Sequence, residues 1–292
     1  MSLYSYIYIN FLNPLQSLPF QLYYFVRKKY IPLNENNRDH HIVVSLTSFP
    51  ARFDTLHFAI KGVLNQSMKP DVIFLCLAKD EIKDESELPQ SVLELKKYGL
   101  RIYFADINLR PHNKYFYAMK LYPNSLIITV DDDNMYDKNL VSDLYASFQK
   151  YPNAISARRV HKIVKDDKNN TLPYNKWDYE FKKKTAPSHD LLATGVGGVL
   201  YPPELLPPET LDAGKIRELC LNADDIWLKF MELKNNIPIV WVKSRRIHPL
   251  NIKRAQKITL QKNNYHRNLN DNYIACLQEH YGVNLASFLE EK

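Results

Sequence analysis

Three adjacent carboxylates, Asp131, Asp132 and Asp133, follow directly on the apolar run Leu126–Val130. Like charges crowded beside a buried strand repel one another and lose hydration, and a divalent cation relieves both costs. Mg²⁺ and Mn²⁺ favour carboxylate oxygens and are commonly shared with substrate phosphates. The plainer reading of the same residues is a solvated turn whose Asp caps a helix. A second acidic pair, Asp224 and Asp225, opens a helical pattern with the apolar face Ile226, Phe230 and Leu233. One of these carboxylates has the chemistry of a general base toward an attacking hydroxyl. The alternative is helix capping and a favourable dipole interaction, although two adjacent side chains cannot both be the N-cap.

Glycine is scarce. Of seven in 292 residues, Gly195, Gly197 and Gly198 fall in the segment TGVGG. No Gly-Lys-Ser/Thr follows, so it is not a P-loop, and the G-x-G-x-x-G dinucleotide fingerprint is not met. What remains is backbone that approaches a ligand closely, or a tight packing turn. Between Val242 and Asn268 there are eight Lys/Arg residues and no acidic one. Most of these suit a solvated surface, while one or two, such as Arg245, suit clamping a pyrophosphate. His248, in the same stretch, is a further candidate metal ligand, with a structural role as the commoner alternative. No nucleic-acid motif accompanies this charge.

Positioning these groups requires a scaffold. The runs 42–46, 72–77, 100–105 and 126–130 read as buried strands, separated by helical spacing around 56–64, 88–98 and 114–121. Gly99 takes the C-cap role after the second of these helices. The alternation predicts a mostly parallel α/β sheet, whose ligands bind at the carboxyl ends of its strands. Further on, helices are expected over 140–150 and 223–234, and strands within 154–164 and 237–242. Residues 165–184 read as a polar loop or insertion.

Composition bounds the alternatives. Hydrophobic residues make up 45% and charged residues 24%, which excludes a disordered, collagenous or coiled-coil chain. The net charge of +7 suits an anionic small molecule or a membrane surface as well as it suits nucleic acid. Cys76, Cys220 and Cys276 are scattered and odd in number, which reads as reduced, buried thiols in a cytosolic protein. No charged residue precedes Arg27, and the aromatic-rich segment before it ends in Arg27, Lys28 and Lys29. Polar residues and prolines interrupt it too often for a transmembrane helix of about 20 residues. Residues 1–34 therefore read either as helix packed on the domain or as an interfacial anchor.

Taken together, TSFPAR at 47–52, LNQS at 64–67, TVDDD at 129–133, TGVGG at 194–198 and ADDIW at 223–227 resemble a bacterial GT-A glycosyltransferase. The similarity is to the family-2-like type of capsule and lipopolysaccharide biosynthesis, over about residues 42–285. The resemblance implies a Rossmann-like α/β domain and a nucleotide-diphospho-sugar donor, a UDP-sugar above all. It implies Mn²⁺ or Mg²⁺ on Asp131 and Asp133, with Thr47, Arg52, Lys114, Asp131 and Asp132 on the donor side. Gly195, Gly197 and Gly198 would wall the sugar and acceptor, and Asp225 would be the base. The family's usual pair there is Glu-Asp, and Asp224 departs from it. The acceptor implied is a glycan or lipid-linked glycan, the outcome inversion, and the location cytoplasmic, on the inner membrane face where peripheral. A nucleotidyltransferase would instead want a Gly-rich loop after the first strand, and 47–52 contains no Gly. A non-catalytic nucleotide-sugar or glycan-binding protein is the remaining alternative.

Overall fold

The computed structural model describes residues 12–27, 29–33, 38–183, 186–244, 249–252, 255 and 269–290. Its centre is a seven-stranded sheet in the order β10-β6-β9-β4-β1-β2-β3. These strands are β1 (Ile42–Thr47), β2 (Val72–Ala78), β3 (Leu100–Ala105), β4 (Leu126–Thr129), β6 (Ile155–Ala157), β9 (Val199–Tyr201) and β10 (Ile239–Trp241). Pairing is parallel from β4 through β1 and β2 to β3, and between β6 and β10. The strand β9 runs antiparallel to both of its neighbours, β4 and β6. Two small antiparallel pairs flank the sheet: β5 (Asn134–Met135) with β11 (Leu250–Asn251), and β7 (Val160–Lys162) with β8 (Leu191–Ala193).

The central strands are apolar throughout because both of their faces are covered. On one face lie α2 (Phe53–Leu64) and α5 (Leu140–Lys150), which bring Leu56, Ile60, Leu144 and Phe148 against Val44 and Leu46. On the other lie α4 (Asn113–Leu121), α7 (Asp224–Lys234) and α8 (Leu269–Tyr281), which bring Phe116, Trp227, Phe230 and Leu277 into the cluster that holds Val43 and Ile127. The helices α1 (Asn13–Val26), α3 (Gln90–Leu93) and α6 (Ala213–Leu219) complete the described set.

Two expected elements are corrected. The helix over 88–98 is only α3 followed by a 3₁₀ turn, Glu94–Tyr98. The chain tightens there to reach Gly99, which sits at φ +103°, where only glycine is unstrained. The strand expected within 154–164 divides into β6 and β7, which belong to different sheets. The break falls at Arg158, whose guanidinium is drawn to Asp137 at 2.5 Å and whose N–H donates to Gly198 O. Of the three thiols, Cys76 and Cys220 are buried but Cys276 only partly so.

Glu209 ties three helices together. It accepts from Lys215 of α6, from Lys234 of α7, and from the Tyr281 hydroxyl of α8 at 3.0 Å. Burial alone would raise its carboxyl, but these donors outweigh burial and hold it at about 2. A depressed carboxylate stabilises the fold above its unfolded value of 4.5, and that contribution is lost as pH falls toward 2. Both amines are substantially solvated, so the effect is modest. Glu209→Gln is expected to lower the thermal midpoint by about 2 °C at pH 7. In a pH series of melting curves the gap to wild type should close between about pH 5 and pH 2.

Candidate active site

The strand order turns back at β1, with β2 on one side and β4 on the other. In open α/β sheets the loops at such a switch point diverge and leave a crevice at the carboxyl ends of the strands. Here those ends deliver Ser48 and Arg52 from β1 and Asp131–Asp133 from β4. The Ser48 hydroxyl donates to Asp132 Oδ2 at 2.6 Å. The Arg52 guanidinium pairs with Asp132 and, through Nη2, with Asp133 Oδ2 at 3.0 Å. Burial raises both carboxyls and Arg52 opposes it, and Asp133 still stands at about 7. Thr47 faces otherwise: its hydroxyl donates to Cys76 O at 2.8 Å, joining the ends of β1 and β2.

Lys114, in the first turn of α4, links the two acidic motifs. Its Nζ lies 3.1 Å from Asp131 Oδ1 and 2.8 Å from Asp224 Oδ2. Burial would lower this amine, but Asp131, Asp224 and Asp225 outweigh it and hold the amine well above its ordinary value. The helix α7 begins after Ala223, without a side-chain cap. The two acids of its first turn therefore have other partners. Asp224 is held ionised: burial would raise its carboxyl, but Lys114 overcomes it. Asp225 Oδ1 accepts from Gly195 N at 3.0 Å. Burial and the neighbouring Asp224 charge push its carboxyl up to about 8. One motif thus contains a fixed anion and, next to it, an acid poised near neutral pH.

The three glycines differ in their surroundings. A Cβ at Gly195 would meet Lys114 Nζ at 2.6 Å, so glycine here admits the lysine. A Cβ at Gly197 would meet Arg159 N at 2.7 Å, and Gly198 sits at φ +87° against Leu140. At those two positions glycine avoids contacts with Arg159 and Leu140, whereas at Gly195 the neighbours are Lys114 and Asp225.

The sequence of residues 46–199, more than half of the chain, matches the family model described as Glycosyl transferase family 2. The chain belongs to glycosyl transferase family 2. No curated protein sequence matches it significantly. Among solved structures it is similar to the mannosyltransferase PcManGT from Pyrobaculum calidifontis, in complex with GDP-Man and Mn²⁺. That likeness has a TM-score of 0.51 at 10% identity, over 94% of this chain and 73% of the other. It is also similar to S. aureus TarS 1-349, with a TM-score of 0.43 at 15% identity, over 70% of this chain and 59% of that one. A UTP-bound UGPase from Acinetobacter baumannii gives 0.44 at 11% identity, over 83% and 99% of the two chains. The fold of this glycosyltransferase is the GT-A fold, with a mostly parallel sheet flanked by helices.

Several residues of the candidate site are not singled out by the sequence reading. Tyr136, fully enclosed, donates its hydroxyl to Val196 O at 3.1 Å and accepts from Asp131 N at 2.9 Å. It thereby fixes the aspartate loop to the glycine segment. His112 is buried between the Tyr115 hydroxyl at 2.8 Å and Cys220 O at 2.9 Å. Its burial lowers it to about 4, so it is neutral beside Asp224. Ser48 was adjacent to a predicted residue, but only the fold places it on Asp132. His248 and Arg245 lie outside the described residues.

Removing the amine while keeping the chain length of Lys114 should leave Asp131 and Asp224 without their shared countercharge. Lys114→Met is expected to cost about 3 kcal/mol in denaturant unfolding at pH 7. The cost should shrink at acid pH as the carboxylates protonate. An equal loss at pH 4 and pH 7 would show that packing, not charge, is what Lys114 contributes.

Proposed function

We propose that this glycosyltransferase moves a sugar from a UDP-sugar to a hydroxyl of a growing surface glycan, of the capsule or lipopolysaccharide type, with inversion at the anomeric carbon. The observation that carries the reading is the placement of Asp225. It is a carboxyl of raised proton affinity, held by Gly195 N at the end of a chain of charges that runs through Lys114 to the aspartate loop. In this reading the acceptor hydroxyl loses its proton to Asp225 as its oxygen attacks the anomeric carbon. The bond from that carbon to the diphosphate oxygen breaks, and the nucleoside diphosphate departs with the electron pair. Asp224, kept ionised by Lys114, raises the proton affinity of Asp225. Arg52 holds Asp132 and Asp133 in place.

The donor set suits a hard divalent cation. It consists of oxygens only, and five carboxylates face the two cations Arg52 and Lys114; burial first, and then the neighbouring Asp131 and Asp132, raise the carboxyl of Asp133. Among the described residues no three His, Cys, Asp or Glu side chains surround a common point. Asp131 and Asp133 would therefore hold Mn²⁺ or Mg²⁺ jointly with donor phosphate oxygens. Bound there, the ion would supply positive charge against the diphosphate.

Asp225→Asn is expected to reduce kcat by about 10²–10⁴-fold while leaving UDP affinity nearly intact. Wild-type turnover in that variant would remove the base assignment. In calorimetric titrations UDP should bind with Mn²⁺ present, beyond GDP and ATP, and Asp133→Ala should abolish the metal dependence. Because the base acts when ionised, kcat/KM should climb with pH and level off above about 8.

A further inference from the structure

The helix α1 is inside out. A surface helix ordinarily turns its apolar stripe to the core and its polar stripe to water. Here Asn13 and Ser17 are 0% exposed, whereas Leu22 and Phe25 are 64% and 71% exposed. Leu15, Leu18 and Val26 lie on the same outward side as Leu22 and Phe25. The inward polar groups are satisfied. Asn13 Nδ2 donates to Pro249 O at 2.8 Å, and Asn13 Oδ1 accepts from Asn251 N at 2.7 Å. Gln21 Nε2 donates to Ser17 Oγ at 2.8 Å, and Tyr24 O accepts from Lys61 Nζ at 2.9 Å. This polar seam fixes the helix to the domain with its apolar side outward, an arrangement that costs free energy in water.

We propose that the outward face of α1 is the surface on which the protein docks to a lipid bilayer with anionic headgroups. Two features favour lipid over a protein partner. The chain carries no charged residue before Arg27 and then presents Arg27, Lys28 and Lys29, with no acidic residue before Glu35. A second copy pairing through α1 would thus offer these cations no countercharge, whereas an anionic bilayer does. The Arg27 guanidinium lies over the ring of Tyr23 at 5.5 Å, and Tyr23 is 45% exposed, an aromatic and basic mixture that suits the headgroup zone. Fourteen residues make about 21 Å of helix, too short to span, and no described helix is long and apolar enough to cross a membrane. The helix would lie in the plane of the interface. Its seam leads to the aspartate loop, because Asn251 belongs to β11, which pairs with β5 directly after Asp133, and Ile252 N donates to Asp133 O at 2.9 Å. The docking surface does not depend on the reading of the chemistry.

Flotation of the full chain with vesicles tests it. Wild type should rise with vesicles of phosphatidylcholine and phosphatidylglycerol, far less with phosphatidylcholine alone, and less in high salt. The triple variant Leu15→Gln, Leu22→Gln, Phe25→Gln changes only exposed side chains. It should keep the wild-type circular dichroism and melting curve while losing at least about tenfold in vesicle partition. Flotation of the variant equal to wild type would overturn the proposal. So would a wild type that never floats. In that event light scattering separates the causes: a dimer that the variant dissolves gives the face to a second copy, and a monomer gives it to the chain's own first residues.

Discussion

Lys114 Nζ lies between carboxylates from two distant stretches of the chain, Asp131 after β4 and Asp224 at the start of α7. A buried amine is tolerated only with countercharges, and buried carboxylates only with a cation, so each of the three makes the others affordable. The lysine is itself fixed from behind, since Ser45 of β1 donates to its carbonyl oxygen. Gly195 borders the same amine, and a Cβ there would displace Lys114 Nζ. The aspartate loop, the glycine segment and the first turn of α7 thus meet around one side chain.

The consequence is a division of labour within ADDIW. Both aspartates stand in the first turn of a helix, where the dipole favours negative charge. Their partners then separate them: the ion pair with Lys114 keeps Asp224 charged, and that charge, together with burial, pushes Asp225 up to about 8. Two identical residues, adjacent in sequence, acquire different proton affinities from their surroundings alone. The same logic runs in the aspartate loop, where Ser48 and Arg52 hold Asp132, Arg52 also pairs with Asp133, and Asp131 is paired with Lys114.

The sheet explains why these groups converge. Placing β1 between β2 and β4 sends Ser48 and Arg52 to the same end as the aspartates, and the antiparallel β9 returns the glycine segment beside β4. Polarity outside the core obeys a different constraint. In helix α1 the Asn13 side chain bonds Pro249 O and Asn251 N, the Tyr24 carbonyl accepts from Lys61, and Leu15, Leu22 and Phe25 are left facing outward.

Much of this was legible in one dimension. Short, β-branched apolar runs bounded by turn residues read as strands covered on both sides, so the parallel core and the position of Asp131–Asp133 at a strand end follow from local pattern. The pairing of TSFPAR with the aspartates and the departure to Asp-Asp at 224–225 are likewise properties of the string. The order of strands is not, and with it came everything that depends on distance: Ser48 on Asp132, Tyr136 between two loops, His112 neutral beside Asp224. Thr47 stands at the end of β1, and that its hydroxyl donates to Cys76 O follows from β2 lying beside β1. Residue types and local periodicity fix which groups are present and roughly which element carries them. Proton affinity, countercharge and the face a helix shows are sums over neighbours far apart in sequence, and only the folded chain brings those neighbours together.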